Sequence, residues 1–151
     1  MHGVLPPTTL HQRVVTKLVT LISNLLQEEK GEVFMGLSVW FDEEGFVVPD
    51  LVVVCDNEKI QSKGCIGSPD LVIEVMEPST ALEDKGLKRR LYRDMGVKEY
   101  WIVDLSYSLV EIFQLNGNEY GESTVYGGSQ VIPIGILEGT EINLGGIFTN
   151  S

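Results

Sequence analysis

The sequence predicts a mixed α/β fold, a β-sheet flanked by helices with a β-rich C-terminal part. Three observations predict it. An amphipathic helical stripe opens the chain, a strand–helix–strand unit runs from PDLVIEVM to EYWIVDL, and short extended runs separated by Asn-Gly and Gly-Gly turns close it. A strand, a helix and a next strand in one sheet normally form a right-handed crossover, which places at least one helix on a face of that sheet. The 151 residues suit one core of ordinary size, so a single domain over 1-151 is expected.

From Thr8 to about Lys30, Leu10, Val14, Val15, Leu18, Leu21, Ile22, Leu25 and Leu26 recur at spacings of three and four, and Gly31 stops the helix. Residues 33–41 are rich in β-branched and aromatic side chains. Asp42, Glu43, Glu44 and Gly45 make a turn, and FVVPDLVVVC continues as the second arm of a β-hairpin. The polar run 56–68 reads as a loop. The apolar PDLVIEVM that follows is a central strand covered on both faces. Thr80 with Glu83 offers a capping box for a helix that ends before Gly96, and EYWIVDL is a second buried strand.

Apolar residues make up 43% and charged residues 22%, and no apolar run approaches the length of a membrane span. Disordered, collagenous and membrane-spanning classes are excluded. Two cysteines, Cys55 and Cys65, are too few for a disulfide framework or a zinc site and read as reduced thiols. The opening MHGVLPPTTLHQ lacks the basic start and apolar run of a secretory signal, so a cytoplasmic protein is expected. Eleven Lys and Arg against 22 Asp and Glu give a net charge of −11, which repels nucleic acid unless the cations are gathered in one place.

They are gathered. Lys85, Lys88, Arg89, Arg90, Arg93 and Lys98 place six basic residues in one short stretch. On a helical wheel Leu87, Leu91 and Met95 centre an apolar stripe; Lys88 lies beside it and Asp84 one turn before, while Arg89 and Arg93 point nearly opposite. Lys88 is thereby expected to reach inward along the sheet. Lys85, Arg89, Arg90 and Arg93 face water or a polyanion.

Two acids interrupt strands that otherwise avoid charge, Asp50 in VVPDLVVV and Glu74 in DLVIEVM. A buried carboxylate needs compensation, because an isolated charge stripped of water costs several kcal/mol. Magnesium takes oxygen ligands and usually only one or two protein carboxylates, so two acids on neighbouring strands suit it.

The segments VVPDLVVVCD and PDLVIEVMEPST, the spacing Asp84, Lys88, Tyr92 and the run GVKEYWIVD resemble the Uma-two family of restriction endonucleases, a branch of the PD-(D/E)XK nuclease superfamily. The resemblance covers most of the chain, from His11-Gln12 to the closing Gly-Gly-Ile-Phe. It implies a restriction-endonuclease-like fold, with Pro49-Asp50 as one half-motif and Glu74 as the acid of the other. A DNA endonuclease using Mg2+ or Mn2+ is implied, with Asp50, Glu74 and Lys88 catalytic, Asp50 and Glu74 on the metal, and His11, Glu77, Asp84 and Tyr92 as accessory groups.

The chain also departs from that pattern. Met76 stands where the superfamily has a lysine two residues after the second acid, and a thioether carries neither proton nor charge. The resemblance implies that the lysine has moved to the following helix, at Lys88. Glu77 replaces a frequent serine, and the segment that usually precedes the first helix is nearly absent, which leaves the expected site with one wall fewer or the N-terminus shortened. The competing expectation is a catalytically inactive nuclease-fold binding or assembly module. For a duplex substrate a homodimer is expected, since one phosphodiesterase centre per chain cuts two strands most simply as a two-fold pair.

Overall fold

In this computed structural model, residues 6–26, 30–77 and 81–149 are described, with residues 81–85 described by their backbone alone. The chain opens with α1 (Thr9–Leu25), then β1 (Glu32–Met35), β2 (Val39–Trp40), β3 (Phe46–Val47) and β4 (Leu51–Val54). Next come a 3-10 turn (Asn57–Lys59), β5 (Ile60–Gln61), β6 (Gly64–Ile66) and β7 (Leu71–Met76), followed by α2 (Ala81–Met95) and β8 (Glu99–Asp104). The C-terminal third holds β9 (Leu109–Asn116), β10 (Glu119–Tyr120), β11 (Thr124–Gly127), β12 (Val131–Pro133) and β13 (Glu141–Asn143).

The main sheet runs β1-β4-β7-β8-β9-β10, with β11 also paired to β9. Only β7 and β8 pair in parallel within it, from Leu71 opposite Glu99 to Met76 opposite Asp104, and α2 is their crossover. Both strands are almost wholly buried, as their continuous apolar runs predict. Alternation divides the core. Leu71, Ile73, Val75, Trp101 and Val103 face α1 and the β12–β13 hairpin; Val72, Met76, Tyr100 and Ile102 face Tyr92 of α2 and Val39 and Cys65 of a smaller sheet.

Four expectations need correction. The first helix ends at Leu25, and Leu26 is already extended; residues 27–29 lie outside the described residues. The single hairpin is really two pairings in different sheets. β1 pairs with β4 in the main sheet, whereas β2 pairs with β3 in the smaller one. The break falls where Gly36 takes a left-handed φ of 68° on one arm and Pro49, which lacks an N–H to donate, sits on the other. Residues 56–68 are no plain loop but the 3-10 turn and the β5–β6 hairpin, with β6 parallel to β2. Finally, Leu87 is 65% exposed; Leu91 and Met95 of the expected stripe do pack against the core, and the inward face shifts from Leu87 toward Lys88 and Tyr92, one turn apart. The helix does stop at Gly96, whose φ of 85° favours glycine. The expected capping pair of Thr80 and Glu83 lies outside the described residues.

Candidate active site

Asp50 stands at the entry to β4, directly after the proline, and Glu74 lies mid-strand on β7 with its side chain toward α2. The antiparallel register, Leu51 opposite Ile73, brings the two acids together. The Asp50 N–H donates to Glu74 Oε1 at 3.2 Å, and the Val75 N–H donates to Asp50 Oδ2 at 2.7 Å. Each carboxylate is thus fixed by the backbone of the other's strand. Asp50 Oδ1 has no hydrogen-bond partner among the described residues.

Glu74 is only 4% exposed, and the burial is compensated from α2. Lys88 Nζ lies 3.0 Å from Glu74 Oε2, and the Tyr92 hydroxyl donates to the same oxygen at 2.9 Å. Residues four apart share a helix face, which is how one short segment delivers both donors. Burial pushes the Glu74 carboxyl above its ordinary range; the Lys88 ammonium opposes that, and the Asp50 carboxylate adds to it. The Tyr92 phenol is driven upward by burial and by Glu74, so it remains a donor.

The first turn of α1 closes the site from the other side. Thr8 caps the helix by accepting from the His11 N–H at 3.2 Å, and its hydroxyl donates to Glu77 Oε1 at 2.5 Å, joining the helix start to the end of β7. His11 Nε2 then lies 3.3 Å from Asp50 Oδ2, while Nδ1 lies 3.2 Å from Gln12 Oε1. Met76 is buried on the α2 face among apolar side chains, and Lys88 reaches Glu74 from the helix instead.

Asp50, Glu74, Lys88, Tyr92 and His11 therefore converge, and Glu77 sits at their margin. The side chains of Asp84 and Lys85 lie outside the described residues. Arg89 and Arg90 are exposed, whereas Arg93 is half-buried rather than fully exposed because Asp94 and Glu119 bind it at 3.1 and 3.4 Å. Sequence reasoning missed Thr8, whose signal was an N-cap residue three positions before His11. It also missed the backbone amides of Asp50 and Val75, which carry no side-chain signal at all.

Among the described residues no group of three or more His, Cys, Asp and Glu side chains is spaced to hold a metal ion. Two carboxylates nevertheless suit a hard cation that retains several waters. The Asp50 oxygen that has no partner among the described residues and the mutual repulsion of the two acids both fit such a cation. Transition-metal sites built from thiolate or several imidazoles do not fit this donor set.

Over 116 residues the chain is 32% identical to the uncharacterized protein slr1290 of Synechocystis sp. (strain ATCC 27184 / PCC 6803 / Kazusa), covering 74% of this chain and 60% of that protein. It is 28% identical over 113 residues to the uncharacterized protein sll1609 of the same organism, covering 72% and 64%. The chain thus spans a little under two thirds of the length of these relatives. Its fold matches the crystal structure of a putative nuclease belonging to DUF820 from Anabaena variabilis ATCC 29413 with a TM-score of 0.77 at 18% identity, covering 95% of this chain and 83% of that one. Residues 3–145 match the model of a family described as "Putative restriction endonuclease", and the chain belongs to that family, Uma2.

Proposed function

We propose that the chain is a metal-dependent DNA endonuclease that hydrolyses phosphodiester bonds, with Mg2+ or Mn2+ held by Asp50 and Glu74. One observation carries the reading: two carboxylates on neighbouring strands, interlocked through backbone amides, meet a helix-borne lysine at 3.0 Å. The family's description and the fold shared with the Anabaena protein support it. A cation held there supplies Lewis acidity and lowers the pKa of a bound water.

The chain's own residues provide orientation and charge. The Val75 N–H and His11 hold Asp50 by Oδ2, which leaves Oδ1 for a ligand. Tyr92 and Lys88 hold Glu74 by Oε2. The ammonium of Lys88 is partly open to solvent, so it can also steady a scissile phosphate or the attacking water, the role of the strand lysine that Met76 replaces. The proposal includes one domain over 1-151, a cytoplasmic location and a homodimer for cutting both strands. Among the described residues no helix is long and apolar enough to cross a membrane.

A second reading, an inactive nuclease-fold binding or assembly module, rests on Met76 and the net charge of −11. Nicking of supercoiled plasmid with Mn2+ separates the two. Wild type should relax the plasmid, and Asp50→Asn should lose at least a hundredfold of that activity. Nicking that survives Asp50→Asn, together with equal heats of Mn2+ binding to both proteins, would remove the metal assignment. Absence of nicking by the wild type would favour the second reading.

A further inference from the structure

On the flank of α2 away from Glu74, Arg89, Arg90 and Arg93 line a notch of about 130 Å³ whose facing wall is Phe113, Glu119 and Tyr120. At about 100° per residue, Arg89 and Arg93 lie roughly 100° and 140° around the helix from Lys88, so one helix separates the notch from the carboxylate pair.

The charges of the notch are unequal. In a chain with 22 acids and 11 Lys and Arg, every guanidinium has ample choice of partner. Arg93 is bound by Asp94 and Glu119, which also neutralises the only carboxylate in the facing wall. Arg89 and Arg90 are exposed, and among the described residues neither has a carboxylate within ion-pair distance. Arg89 instead lies with its guanidinium carbon 5.4 Å from the ring centroid of buried Phe113, within cation–π range. Both residues line the notch, so two guanidiniums without an acid leave it with uncompensated positive charge that an anion can neutralise. The planar fork matches the oxygens of a phosphate, which it can bind through two parallel hydrogen bonds.

We propose that this notch is a phosphate subsite that grips a non-scissile phosphodiester of a polynucleotide whose scissile bond lies at Asp50 and Glu74. The inference rests on the nucleic-acid substrate proposed above and adds its extent. A helix is about 10 Å across with side chains, more than the spacing of successive phosphates along a strand, so the gripped phosphate is a different one from the scissile phosphate. The substrate is therefore a chain of several nucleotides rather than a single diester.

Binding is read by fluorescence anisotropy on a labelled 12-nucleotide strand and a 12-base-pair duplex in EDTA, where neither metal nor turnover is required. Arg89→Ala/Arg90→Ala should weaken binding at least tenfold at 50 mM salt and make the slope of log K against log salt shallower by about 0.7–0.9, the value for one lost phosphate contact. Arg89→Lys/Arg90→Lys keeps the charge and loses the fork, so it should bind several-fold more weakly than wild type and better than the alanine variant. Lys30→Ala/Lys63→Ala removes the same charge from two exposed lysines outside the basic stretch and should stay within twofold of wild type. The subsite is overturned if wild type binds neither oligonucleotide, if the lysine control loses as much as the arginine variant, or if the salt slope is unchanged. Arginine-dependent binding by a protein that nicks nothing would uphold the subsite and sink the endonuclease. Nicking combined with arginine-independent binding would do the reverse.

Discussion

Glu74 and Glu99 lie on adjacent parallel strands, three ladder positions apart, and are 4% and 2% exposed. Burial pushes both carboxyls above their ordinary range. Their surroundings differ in kind. Glu99 points to the α1 face, where the Trp101 indole donates to it at 2.5 Å, the Gln114 amide at 3.2 Å and the backbone of Gly135 as well. All three donors are neutral, and a Cβ at residue 135 would collide with the Glu99 carboxylate, so the pocket is closed around it. Glu74 points to the other face, where it meets a second carboxylate and a lysine, both partly open to solvent. A buried acid with a raised pKa is thus no marker of chemistry by itself. The second acid and the cation distinguish a site from a well-satisfied core carboxylate.

The largest test of that distinction removes the cation. Lys88→Met preserves most of the stem and deletes the charge, so nicking should fall about a hundredfold or more while the fold persists. Glu99→Gln should leave nicking within about twofold of wild type. If a folded Glu99→Gln protein loses activity as Lys88→Met does, the two glutamates are not different in kind.

A smaller effect sharpens the comparison at Tyr92. Its ring packs on Tyr100 with centroids 5.0 Å apart, a contact that phenylalanine keeps, while the hydroxyl serves Glu74. Tyr92→Phe should therefore lower the unfolding free energy by about 1.5–3 kcal/mol, the range for a hydrogen bond to a charged group, in urea titrations at neutral pH. No loss of stability would mean that Lys88 and the Asp50 amide already satisfy Glu74.

Much of the site was legible because its acids break the rules of their strands. Asp50 and Glu74 stand out in apolar runs, and the inward reach of Lys88 follows from helix periodicity. Of the apolar stripe on α2, Leu91 and Met95 do pack against the core and only Leu87 is exposed; the wheel places Lys88 beside that stripe but cannot foresee that the buried Glu74 carboxylate also draws Tyr92 inward. The strands at 60–61 and 64–66 were invisible because two or three residues display no period. Glu99 passed unnoticed at the start of its strand, where an acid reads as a solvated strand end; its partners Gln114 and Gly135 are far away in sequence. The division of the 32–54 hairpin between two sheets depends on Gly36 and Pro49 acting together across the pair, and each alone reads as a local irregularity.

The smallest effect concerns pH and isolates Glu99. Because burial raises its folded pKa above the ordinary value of 4.5, the native state holds this proton more tightly than the unfolded chain does. The resulting stabilisation is fully present below about pH 4.5 and is lost as pH rises through the folded pKa. Glu99→Gln cannot titrate, and whatever its amide costs against three neutral donors is the same at every pH. The stability difference between the two proteins should consequently shift in favour of Glu99→Gln between pH 4 and pH 8, by about 1.4 kcal/mol for each unit of pKa elevation. The contribution of Glu74 is common to both and cancels. Urea titrations at four pH values across that range measure the shift, and parallel profiles for the two proteins would show that burial leaves the Glu99 carboxyl unperturbed.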